Sequence, residues 1–95
     1  MEGKRRLLKR NDWSLNLEDV QDAGREELLS AAIEAVEETA PGYYVNLVTP
    51  GTAGHPETVF IPDLVRKLRE MNIPVRSVQY IGECGCGGHV TRVYR

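Results

Sequence analysis

The chain has 95 residues, with 12 Lys and Arg against 14 Asp and Glu, a net charge of −2, 41% hydrophobic and 27% charged residues. A chain of this size supports one domain, and its ordinary composition points to a soluble globular protein with no apolar run long enough to span a bilayer. The slight acidic balance argues against a nucleic-acid binder.

The chain opens on a basic stretch, with Lys4, Arg5, Arg6, Lys9 and Arg10 around only two apolar residues, Leu7 and Leu8. That pattern lacks the hydrophobic region of a signal peptide, so the expected location is the cytoplasm. Nothing aromatic is interleaved to stack on bases, and residues 1–11 are expected to form a solvated, mobile arm ahead of a single domain over 12–95.

Trp13, Leu15 and Leu17 alternate with Ser14 and Asn16, the period of a half-buried strand. From Asp22 to Thr39, Leu29, Ala32, Ile33 and Val36 recur at three- and four-residue steps while Glu26, Glu27, Glu34, Glu37 and Glu38 take other faces, which predicts a helix ended by Pro41-Gly42. Tyr43 to Val48 is rich in aromatic and β-branched residues and reads as a strand. The loop Thr49 to Glu57 follows. It lacks the Lys-Ser/Thr ending of a phosphate loop, so an ordinary connecting turn with His55 at its surface is the simpler reading. The alternative sets this loop beside the C-terminal hairpin and lends His55 to it. A second helix is expected to start near Pro62, a residue suited to a first helical turn, and to run to Met71 or Asn72 with Leu64, Val65 and Leu68 inward. Val75 to Ile81 and His89 to Tyr94 then read as a hairpin. The order β-α-β-α-β-β predicts an α+β two-layer sandwich, a mixed sheet with two helices on one face. Trp13, Tyr43, Tyr44 and Tyr80 are expected as core or sheet-face aromatics.

Both cysteines of the chain fall in the connection of that hairpin, in the run Cys84-Gly85-Cys86-Gly87-Gly88-His89. In a reducing compartment a structural disulfide is disfavoured, and a Cys84–Cys86 bridge would close a very small, strained ring. A catalytic thiol needs a lowered pKa, but the neighbouring Glu83 pushes the other way, and the two histidines of the chain are its only clear partners. Cys84, Cys86, His89 and, from the other loop, His55 make a candidate ligand set for zinc or Cu(I), although Cys-x-Cys-x-x-His is not the paired knuckle of common zinc sites.

This run, with Val45-Asn46-Leu47-Val48-Thr49, Gly54-His55-Pro56-Glu57 and Trp13-Ser14-Leu15-Asn16-Leu17-Glu18, resembles the CGCGG family of small archaeal and bacterial proteins. The resemblance covers most of the chain beyond residue 11, with the basic arm outside it. It implies a substrate, not an enzyme: a ribosomally synthesised and post-translationally modified peptide (RiPP) acted on by a radical S-adenosylmethionine (SAM) maturase. In the thioether-forming branch of such enzymes, hydrogen is abstracted from an unreactive carbon and a cysteine sulfur is bonded there. Cys84 and Cys86 would then be sulfur donors, and Gly85, Gly87 and Gly88 open α-carbons beside them. The SAM and the iron–sulfur cluster belong to the partner, since two cysteines fall short of the usual four cluster ligands. The strand pattern after the glycines leads to the expectation that the modified loop stays on the folded protein.

Overall fold

The alternation of short β-branched runs with amphipathic segments yields six elements. The computed structural model describes residues 8–17, 25–51, 54–83 and 88–95. Within them lie β1 (Trp13–Asn16), α1 (Arg25–Glu38), β2 (Tyr44–Thr49), α2 (Phe60–Glu70), β3 (Ser77–Glu83) and β4 (His89–Tyr94). The order is the expected one, and the fold is α+β with one mixed sheet. Residues 1–7 of the basic arm and 22–24 of the expected first helix lie outside the described residues.

The sheet runs β1-β2-β4-β3. β1 and β2 are parallel and joined through α1, while β4 is antiparallel to both β2 and β3. β2 and β3 therefore point the same way, with β4 returning from the hairpin to fill the space between them. The last strand in sequence is thus an inner strand of the sheet.

Period-2 alternation assigns the two faces. Trp13 pairs with Val45 and Leu15 with Leu47, Val45 and Leu47 pair with Val93 and Thr91, and these with Val78 and Tyr80. This face takes the helices: Val45, Leu47 and Val93 form one core with Leu28, Leu29, Ala32, Ile33 and Val36 of α1 and Phe60, Leu64 and Leu68 of α2. α1 buries a wider stripe than its sequence period indicated, adding Leu28 and Ala35, because it packs on both β2 and α2.

The opposite face is polar and aromatic. Arg92 lies 4.1 Å over the Tyr44 ring and donates through Nε to Asn46 Oδ1 at 2.8 Å, while Asn46 Nδ2 donates to Ser14 Oγ at 3.3 Å. Tyr94 meets Tyr44 edge-on at 5.4 Å. These contacts stitch β1, β2 and β4 across this face, and the hydrogen bond to the Tyr94 hydroxyl at 3.5 Å, with the charges of Tyr44, Tyr94 and Asp12, outweighs desolvation and pushes the Arg92 pKa up.

α2 begins at Phe60, ahead of the expected start at Pro62. The turn over residues 56–59 leads straight into it, Ile61 N–H donating to Pro56 O at 2.7 Å, and Pro62 in the first turn has no N–H whose loss matters. At the other end Asn72 takes φ 58°, and the N–H groups of Asn72 and Ile73 return to Arg69 O and Leu68 O, which satisfies the last carbonyls of the helix.

α1 carries no basic residue in its last turn. Its end is closed instead by Arg95, whose Nη1 donates to Val36 O at 2.6 Å and Thr39 O at 3.1 Å. The buried Thr39 accepts from Trp13 Nε1 at 2.8 Å and donates to Ala35 O at 2.9 Å. Lys9, assigned from sequence to the arm, bridges to Thr39 through the backbone, and its ammonium stands 4.8 Å over the Trp13 ring. Replacing Thr39 by valine leaves the indole N–H without its acceptor, at an expected cost of about 1–3 kcal/mol. Urea unfolding followed through the chain's single tryptophan measures this. A Thr39→Val midpoint equal to that of the parent would contradict the bond.

Candidate functional site

The β3–β4 hairpin ends its pairing at Gly82 with Val90 and Glu83 with His89, so these residues flank the Cys-Gly run directly. The register shifts between Tyr80 and Gly82, where Ile81 is the extra, bulged residue and is 44% exposed. Gly82 has φ +150°, inside the region other residues rarely adopt, yet a Cβ there would meet nothing within 4 Å. Its glycine is required by backbone conformation, not by space. Cys84, Gly85, Cys86 and Gly87, four of the sequence-predicted site residues, lie outside the described residues; Gly88 is buried one residue ahead of β4.

The structure brings the two histidines together at this end of the sheet. His89 follows the alternation of Thr91 and Val93 onto the helix-bearing face, its carbonyl accepting from Thr49 Oγ1 at 3.4 Å. His55 arrives from the β2–α2 connection. Gly54 precedes it with φ +89°, where a Cβ would approach Val59 Cγ2 to 3.3 Å, so this turn also needs glycine. The carbonyl of His55 then accepts from Thr58 N, Thr58 Oγ1 and Val59 N, which fixes the residue ahead of α2. The ring centroids of His55 and His89 are 5.0 Å apart. His55 is exposed, as expected of a loop-surface residue, and it also lies beside the hairpin.

Tyr80 joins them, a residue the sequence placed only among sheet aromatics. Its hydroxyl lies 2.9 Å from His89 Nδ1, and its ring centroid is 4.6 Å from that of His55. Alternation put Tyr80 on a face with Val78, but only the pairing of Tyr80 with Thr91, two residues from His89 on the same strand face, reveals the contact. His55 Nδ1 accepts from the Glu57 N–H at 3.2 Å, which keeps the proton of the neutral ring on Nε2.

Desolvation, followed by the charges of Glu83 and Glu57, pushes the Tyr80 phenol above its ordinary value of 10.0. The fold therefore favours the neutral phenol. The associated stability is fully present below the ordinary value and is lost as pH climbs through the raised folded value. An ultraviolet absorbance titration, compared with Tyr80→Phe, should show this phenol ionising later than an ordinary tyrosine. Ionisation at or below the ordinary value would contradict the assignment.

Among the described residues no group of three or more His, Cys, Asp or Glu side chains stands in metal-binding arrangement, and no helix is long and apolar enough to cross a membrane. The architecture defines a small α+β domain that frames a Cys-Gly run between an edge strand and an inner strand. Over residues 2–95 the chain matches the family described as "Putative radical SAM target protein", and it belongs to that family. The match takes in the basic arm from its second residue onward, which the resemblance read from sequence had left outside. No curated protein and no solved structure matches the chain.

Proposed function

We propose that this protein is the folded substrate of a radical-SAM maturase in the cytoplasm, modified at Cys84-Gly85-Cys86-Gly87-Gly88 and keeping the modified segment as part of its structure. It is a RiPP-class protein acted upon, not a catalyst. Family membership supports the partner. The position of β4 supports retention: a core peptide released by cleavage after Glu83 would take with it a strand paired on both sides, including the fully buried Thr91 and Val93.

A thioether is the modification that best suits the residues. The maturase's deoxyadenosyl radical takes a hydrogen atom from a glycine α-carbon. The thiol of Cys84 or Cys86 loses its proton, the sulfur–carbon bond forms, and the surplus electron returns to the maturase's iron–sulfur cluster. Each link removes two hydrogens from the chain and one free thiol.

Trypsin offers a direct test, because cleavage after Arg76 and Arg92 isolates residues 77–92 with both cysteines in one peptide. From protein co-produced with its maturase, this peptide should be lighter by two hydrogens per link, with fragment ions assigning the loss to residues 84–88. Recovery of the peptide only at its unmodified mass would sink the proposal.

A further inference from the structure

We propose that His55 and His89 form a two-imidazole site for a tetrahedrally coordinated divalent ion, zinc above all. This stands apart from the maturation reading and does not depend on it. The sequence-level ligand set also includes Cys84 and Cys86. The imidazole half rests on described geometry alone.

The spacing is compatible with a tetrahedral ion. With a metal–nitrogen bond of about 2.0 Å and about 1.1 Å from ring nitrogen to centroid, two imidazoles at a tetrahedral angle place their centroids about 5 Å apart. The same lengths give about 4.4 Å for a square-planar right angle and about 6 Å for a linear ion such as two-coordinate Cu(I). The observed separation is 5.0 Å, with the rings inclined at 50°. The two residues come from segments 34 positions apart in the chain, so local sequence does not impose this approach.

The surroundings fit a cation. The Tyr80 hydroxyl oxygen, at 2.9 Å, can accept a hydrogen bond from His89 Nδ1–H, which leaves the Nε2 lone pair of that ring for a metal and fixes the ring plane. Glu57 and Glu83 both act on the Tyr80 hydroxyl, so the site lies in a negative field. On His55 the hydrogen bond from Glu57 must yield, either to an ion that takes the Nδ1 lone pair or to a half-turn of the ring. It is long, at 3.2 Å, and exposed, and so is weak against a metal–imidazole bond. The two imidazoles fill half of a tetrahedron, and solvent supplies the rest at this surface position.

The test uses the full chain carrying Cys84→Ser and Cys86→Ser, so that thiols cannot account for binding. Calorimetry with zinc should give one ion per chain, and cobalt(II) in its place should give the intense visible absorption of tetrahedral coordination. His55→Ala and His89→Ala should each weaken zinc binding by at least about tenfold, and Tyr80→Phe by about tenfold through the lost orienting bond. In the cysteine-free chain with both histidines intact, zinc should shift the imidazole nitrogen resonances of His55 and His89 together, a readout free of any folding defect from histidine replacement. Absence of zinc binding by the cysteine-free chain, binding unaffected by both histidine replacements, or zinc that moves neither imidazole resonance would overturn the proposal.

Discussion

A chain ended at Glu83 is expected to lose its cooperative unfolding transition altogether. β4 is the one strand paired with β3 in the sheet and one of the two strands paired with β2. Its removal leaves β3 with no strand beside it and opens the core at Val93 and Thr91, both fully buried. Burial of one such aliphatic side chain contributes about 1.5–3 kcal/mol. It also removes Arg95 and with it the closure of α1 at Val36 and Thr39, where hydrogen bonds from a charged donor contribute about 1.5–3 kcal/mol each. Against a total stability of about 5–15 kcal/mol for a domain, these losses together with the lost ladder are decisive. Circular dichroism during urea titration of the truncated chain is the measurement. A sigmoidal transition like that of the full chain would show that the domain survives without β4, and peptide release would then be structurally free of cost.

The second large effect falls on the thiols. Replacing both Cys84 and Cys86 by serine should abolish the mass change made by the maturase, because a serine hydroxyl offers neither the thiolate nor the sulfur–carbon bond. The fold should persist, since the strand pairing that brackets the run stops at Glu83 and His89 and no ladder pair is lost. Single replacements should remove one link and keep the other if each sulfur forms its own bond. Unfolding of the double variant should stay within about 0.5 kcal/mol of the parent, the range of substitutions that break no buried contact. A mass loss that survives in the double variant would remove the sulfurs from the chemistry.

The elements of this fold were readable because each carries a local signal. Trp13 and Leu15 alternate with polar neighbours, the α1 apolar residues follow helical period, and four of the six residues from Tyr44 to Thr49 are aromatic or β-branched. The start of α2 was less legible because Val59, its N-cap, has no capping side chain, whereas Pro62 is a strong but displaced marker. The place of β4 between β2 and β3 had no local signal at all: a hairpin pattern predicts that β3 and β4 pair, but not which of them faces the rest of the sheet. The same limit hid Tyr80. Its contact with His89 depends on register across the bulge at Ile81, and that of His55 on a loop whose path no short-range pattern specifies. The Cys-Gly run was the reverse case, conspicuous in composition alone.

On the proposed function, a radical-SAM maturase alters the Cys-Gly run and leaves it attached to a folded domain. Intact mass spectrometry of the protein isolated from its native host, before and after thiol alkylation, tests this most directly. The expected result is a full-length chain lighter by two hydrogens per link, with the linked cysteines refusing the alkylating reagent. A full-length chain at its unmodified mass with two alkylatable thiols, or a released C-terminal peptide beside a shortened domain, would contradict it.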